Sequence, residues 1–106
     1  MSTPNFFDIA ELEKQRYGKL YFEFLRVPAM SAGVYILAAG GTDPQSPHKE
    51  DEMYYVVSGR ARMTIDDQER PVQSGSVIFV PANQKHWFHD IEEELTVLVF
   101  FAPAES

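Results

Sequence analysis

Three side chains in this sequence have the types and the spacing to hold a cation: His48, Glu52 and His86. His48 and Glu52 lie four positions apart, where the loop Gly40 to Pro47 enters an extended segment. In a strand, positions of equal parity share a face, so His48, Glu52, Tyr54 and Val56 point the same way. Tyr54 and Val56 are core types, which turns the Glu52 carboxylate toward the interior. A carboxylate there is costly without a partner, and either a cation or a hydrogen-bond network must satisfy it. His86 opens another extended segment after Pro81-Ala-Asn-Gln-Lys85. If that segment lies beside Glu52, two imidazoles and one carboxylate converge. The set suits non-haem Fe(II) and is acceptable to Zn, Mn or Ni. Three protein ligands leave positions open for water or substrate, as catalytic metal sites do. Each residue alone has a plainer reading. A histidine near a strand end is commonly a hydrogen-bonded surface group, and Glu52 could be one more solvated charge beside Glu50 and Asp51. His89, three positions beyond His86, belongs on the opposite face with Trp87, while Phe88 points inward.

The elements that must position these residues are strands. Asp8-Ile-Ala-Glu11 has the form of a capping box, and a short helix is expected from there to Tyr17, with Gly18 as its stop. From Leu20 onward, apolar segments alternate with turn residues. Strands are expected over Leu20–Val27, Gly33–Ala39, Glu52–Ser58, Arg60–Ile65, Gln68–Val72, Ser76–Val80, His86–His89 and Leu95–Phe101, with a hairpin turn at Asp66-Asp67. Eight short strands so punctuated indicate an all-β sandwich or barrel. The inward candidates are Tyr35, Leu37, Tyr54, Phe79 and Phe88. On the last strand, Leu98 and Phe100 compete with Val97, Val99 and Phe101. Any of these choices makes an apolar, aromatic pocket suited to a small organic molecule. Arg60 and Arg62 are expected in solvent.

The first strand is apolar on both faces, with Leu20, Phe22 and Phe24 on one and Tyr21, Leu25 and Val27 on the other. Its outer side must be covered, either by a second subunit, making a homodimer, or by Phe6, Phe7, Ile9 and Leu12 of the N-terminal segment.

The chain has 106 residues, one domain's worth, with 44% hydrophobic and 13% aromatic residues. One hydrophobic core is expected, and no disorder. The net charge of −7 and the scattered Lys and Arg argue against nucleic acid and against an anionic membrane surface. There is no cysteine, which excludes disulfides, thiolate ligands and thiol nucleophiles. Met1 to Phe7 lacks the regions of a signal peptide and no apolar run spans a membrane, so a cytoplasmic location is expected.

The segment Gly41-Thr-Asp-Pro-Gln-Ser-Pro-His48-Lys-Glu-Asp-Glu52-Met-Tyr-Tyr-Val-Val-Ser-Gly59 resembles the first motif of the cupin superfamily, and Gly75-Ser-Val-Ile-Phe-Val-Pro81-Ala-Asn-Gln-Lys-His86 resembles the second. The resemblance implies an all-β, double-stranded β-helix (jelly-roll) barrel over residues 19–103, preceded by an arm over 1–18. It also implies one divalent metal ion (Fe, Mn, Ni or Zn) on His48, Glu52 and His86. Three positions depart from the pattern. Ser46 stands where the motif has the first of its two histidines, so water or the Gln45 amide oxygen would have to fill that place. Asn83 replaces a glycine, and asparagine tolerates the left-handed backbone better than most residues. Asp90 replaces an asparagine outside the ligand set. The activities that cupins carry make a metal-dependent enzyme, dioxygenase-like or isomerase-like, the first expectation, with Glu52 and Tyr54 as catalytic candidates. A binding or sensing barrel without turnover, or a metal-free one, is the alternative.

Overall fold

The computed structural model describes residues 5–106. Its elements in chain order are α1 (Ile9–Gln15), β1 (Tyr21–Val27), β2 (Met30–Leu37), β3 (Asp51–Ile65), β4 (Gln68–Gln73), β5 (Val77–Val80) and β6 (His86–Ala102). Six strands form one antiparallel sheet in the order β1-β2-β6-β3-β4, with β5 also on β3. Of the arm expected over 1–18, residues 1–4 lie outside the described residues. Among the described residues, no helix is long and apolar enough to cross a membrane.

The spine is the pair β3–β6, antiparallel from Asp51↔Ala102 to Ile65↔His86. Each of these strands was expected as two. Gly59 does not end a strand but bends one. At φ 97° its backbone passes so close to β6 that a Cβ would lie 2.2 Å from the Glu94 carbonyl oxygen. Only glycine combines that backbone with that approach. Asp90, at φ 48°, is a second left-handed position on β6. The ladder shifts register between Val56 and Arg62 and resumes, so these residues mark bulges rather than turns. Bulges add the curvature that rolls a flat ribbon into a barrel. The turn at Asp66-Asp67 forms as expected, with Asp66 left-handed and Ile65 paired to Gln68. β2 begins earlier than expected, because Pro28-Ala29 makes a tight hairpin that pairs Val27 with Met30.

Strand parity divides the residues cleanly. Leu95, Val97, Val99 and Phe101 of β6 face inward with Tyr35, Leu37, Tyr54, Val56 and Phe88, while Leu98 and Phe100 face out half-buried. Phe79 was expected inside and is 55% exposed. The β3–β5 register explains the error: Glu52 pairs with Val80 and Tyr54 with Ile78, so Met53 and Phe79 share the outer face. Arg60 and Arg62 lie outside and pair with Glu92, Glu93 and Glu69.

α1 closes the outer face of β1 and β2. Leu12 is buried against Val34, Ile36, Phe22, Phe24 and Leu98, and Phe7 stacks 4.8 Å from Phe24. Leu12 and Phe7 of the N-terminal segment thus cover part of the outer face of the first strand, while Phe6, also expected to cover it, is 92% exposed. The expected capping box does not form. Asp8 is the N-cap by its backbone carbonyl, which accepts from Glu11, and its side chain makes no cap bond. The helix ends at Gln15, before left-handed Tyr17 and Gly18.

Candidate metal centre

Barrel closure brings His86 to the sequence neighbours His48 and Glu52, so that the three candidate ligands meet. Val80 pairs with Glu52 at the start of β3, and the chain then turns through Pro81–Lys85 to deliver His86. Asn83, left-handed at φ 68° as its glycine-like place requires, donates from its backbone N to the His48 carbonyl at 2.7 Å. That bond ties the two motif loops to each other. One ligand atom from each of His48, Glu52 and His86 falls within 4.8 Å of the others. Glu52 and His86 are almost fully buried and His48 is partly so.

The hydrogen-bond partners of His86 fix its tautomer. His86 Nδ1 lies 2.8 Å from the Gln84 carbonyl oxygen, which can only accept, so Nδ1 carries the hydrogen. In a neutral imidazole Nε2 is then bare. It faces Glu52 Oε1 at 3.0 Å, and among the described residues no backbone N–H or side-chain donor of settled protonation is directed at that buried oxygen. Two acceptors, an imidazole nitrogen and a carboxylate oxygen, confront each other where both side chains are almost fully buried. A proton shared between the two, or a metal ion upon them, resolves this. Burial works to depress the His86 pKa, but the Glu52 carboxylate, the Gln84 carbonyl and the Asp43 charge outweigh it and the pKa is raised. The donor set therefore fits a divalent ion, and in its absence the same place favours a proton.

Gln45 completes the cluster. Its Oε1 lies 3.1 Å from His86 Nε2 and 3.5 Å from His48 Nε2, and accepts from the Tyr54 hydroxyl at 2.7 Å. Asp43 sets that orientation. It accepts from Gln45 Nε2 at 2.5 Å, from the Phe88 backbone N at 2.8 Å and from the Tyr35 hydroxyl. A carboxylate accepts only, so the amide must turn its nitrogen to Asp43 and its oxygen to the imidazoles. Sequence reasoning missed Asp43. Three residues before the motif's serine in a turn-rich loop, it has the appearance of a solvated turn aspartate. Glu50 was also missed: read as part of a solvated acidic run, it is buried and accepts from the Ser106 backbone N at 3.1 Å. Glu105 was the third omission, with its Oε2 3.3 Å from His48 Nδ1. Nothing in local sequence pattern links residues so far apart.

Beside the cluster is a cavity of about 340 Å³. Its apolar wall comes from Leu20, Pro44, Val99 and Phe101, and the rings of Tyr21, Tyr35 and Tyr54 line it together with Gln45, Ser46 and Glu105. No Lys or Arg is among the lining residues. All three tyrosines are held protonated. Burial is the main cause in each, reinforced by Glu105 and Glu23 at Tyr21, by Asp43 at Tyr35 and by Glu52 at Tyr54. Tyr54 is thus a hydrogen-bond donor at any ordinary pH. His89 lies apart from the cluster, between Thr64 at 2.7 Å and Asp90 at 3.0 Å, on the outer face as its parity requires.

A barrel of antiparallel strands with two imidazoles and a glutamate gathered at one end defines a class of small β-barrels with a candidate metal site. The cupin domain family matches residues 33–102, and the chain belongs to that family. It is 50% identical over 102 residues to an uncharacterized protein of Streptomyces coelicolor, covering 94% of this chain and 97% of that one. Among solved structures, it resembles TT1209 from Thermus thermophilus (TM-score 0.77, 22% identity, 93% of this chain and 97% of that one). It also resembles the Schizosaccharomyces pombe Cnp3 cupin domain (TM-score 0.72, 17% identity), covering 78% of this chain and 59% of that one. These likenesses establish the cupin double-stranded β-helix fold.

Proposed function

We propose that this protein is a metal-dependent enzyme acting on a small organic molecule in the barrel cavity, with His48, Glu52 and His86 holding one Fe, Mn, Ni or Zn ion and Gln45 Oε1 available as a fourth donor. One observation carries this reading: the buried, unpartnered Glu52 Oε1 facing the bare Nε2 of His86. A divalent ion there would supply Lewis-acid or redox activation to an oxygen-bearing ligand. The chain's own residues do the rest. Tyr54, a phenol held protonated next to the cluster, donates a hydrogen bond to an oxygen that takes the place of Gln45 Oε1. Leu20, Val99 and Phe101 exclude water from the ligand's apolar part. With Glu52 and Glu105 on the wall and no Lys or Arg, the cavity suits a ligand that is neutral over most of its surface. Dioxygen activation and isomerisation are both compatible with this donor set.

We also place a homodimer in this reading, on Met53, Tyr55, Val77 and Phe79, which are exposed side by side on the outer face of β3 and β5. The acidic surplus and dispersed Lys and Arg speak against a nucleic-acid partner, and a cytoplasmic setting belongs to this reading.

The test is elemental analysis of protein purified without chelators or metal-affinity resin, beside His86→Ala. Near one equivalent of a transition metal in the parent and none in the variant supports the site and justifies a substrate screen under oxygen. A parent that takes up no added metal, yet binds small molecules in the cavity, would make it a binding barrel instead.

A further inference from the structure

The segment that follows β6 returns across the barrel mouth and is fastened through its main chain. Glu105 N donates to the Ser31 hydroxyl at 2.9 Å, the Glu105 carbonyl accepts from Arg26 Nη2 at 2.5 Å, and Ser106 N donates to Glu50 Oε2 at 3.1 Å. Ser31 and Glu50 are buried polar groups, so these bonds answer a need of the barrel as well as holding the segment. The Glu105 side chain takes no part in the fastening. It is left on the cavity wall, with Oε2 3.3 Å from Nδ1 of His48.

His48 therefore stands between two acceptors, Glu105 beyond Nδ1 and Gln45 Oε1 3.5 Å beyond Nε2. A neutral imidazole has one hydrogen to give. The carboxylate is the stronger acceptor, and a bare Nδ1 against it would be repelled. The hydrogen goes to Nδ1, and the Nε2 lone pair is aimed into the cluster. His86 reaches the same state by another route, through the Gln84 carbonyl. We propose that Glu105 is a positioning residue of the metal centre, fixing the tautomer and ring orientation of His48 from outside the ligand set. The proposal rests on the metal reading above. It assigns a role to a residue that no motif contains, and it makes the segment 103–106 part of the site.

The test compares Glu105→Ala, Glu105→Asp and Glu105→Gln with the parent by two readouts. The first is Co(II) affinity, measured by chelator competition and the visible spectrum of the bound ion. Loss of such an outer carboxylate lowers metal affinity by about 10–100-fold. That loss is expected for Ala, and for Asp, which is one methylene too short. Gln keeps an acceptor oxygen and should recover part of it. The second readout needs no metal: imidazole ¹⁵N shifts of the metal-free protein. They should report the Nδ1–H tautomer of His48 in the parent and its loss in Glu105→Ala. Melting temperatures should stay near the parent's, because the fastening bonds are main-chain. If Co(II) binds the parent and the Ala variant equally and the tautomer is unchanged, Glu105 has no positioning role while the metal reading survives. If the parent binds no Co(II), the metal reading fails and the proposal with it.

Discussion

Replacing Glu52 by Gln tests the site most directly, because its effect should change sign with pH. Glu52 and His86 side chains are each 1% exposed, so solvent screens their interaction little. In metal-free protein at low pH, His86 carries its second proton and the pair is a buried ion pair. Removing one partner of such a pair costs about 3–5 kcal/mol. At high pH the second proton is gone and the two bare acceptors confront each other, which costs about 1–3 kcal/mol. The amide that Glu52→Gln introduces can donate to His86 Nε2 and remove that cost. The His86 pKa is raised in the folded state, against roughly 6.5 when unfolded. Its contribution is therefore complete below about pH 6.5 and is lost as pH rises through the folded value. Urea unfolding in EDTA from mildly acidic to alkaline pH should show the parent more stable than Glu52→Gln at the acid end. The difference should shrink by at most about 1.4 kcal/mol per pH unit, the limit for one proton, and vanish or reverse at the alkaline end. Added divalent metal should stabilise the parent, by about 2.7 kcal/mol at one hundred times Kd, and leave the variant unchanged. A difference that does not vary with pH, or equal stabilisation of both proteins by metal, would refute the reasoning.

Three further outcomes are expected. Gly59→Ala forces a Cβ to within 2.2 Å of the Glu94 carbonyl oxygen at a left-handed φ, and should destabilise the barrel by about 2 kcal/mol or more in thermal melts; a change under a few tenths would mean the ribbon can flex there. Ser46→His adds an imidazole on the cavity wall beside Gln45 and should tighten Co(II) binding at least about tenfold; unchanged affinity would mean that position does not reach the ion. Phe79→Glu places a charge on the exposed β3–β5 face and should convert a dimer to monomer by light scattering with no loss of melting temperature; an unchanged mass would put the contact elsewhere.

The three clustered residues were legible in the sequence only as a set, through the two cupin-like motifs that hold them. The parity of His48, Glu52, Tyr54 and Val56 is a local property of extended chain, and Pro81 and Asn83 mark the turn that leads into His86. The class of fold was legible for the same reason, since turn residues and strand periods need no long-range information. Even the left-handed Asn83 follows from its own chemistry. Several features escaped that kind of reading. Gly59 and Asp90 look like punctuation, but whether such residues end a strand or bulge it depends on a partner ladder that continues past them. Phe79 was misplaced because the facing of β5 is set by its register on β3, and a one-residue slip turns every side chain to the other side. The cover on β1 was one of two options until α1 was seen docked there.

What the sequence by itself determined, then, is which residues have the chemistry and which local conformations they prefer. What only the tertiary structure decided is their company. Asp43 turns the Gln45 amide, Glu105 faces His48 from 57 positions further along the chain, and Glu52 faces a histidine whose other nitrogen is already committed. The physical reason is that a proton or a hydrogen bond belongs to a pair of atoms. These pairs exist only after the ribbon of β3 and β6 has bent at its bulges and closed.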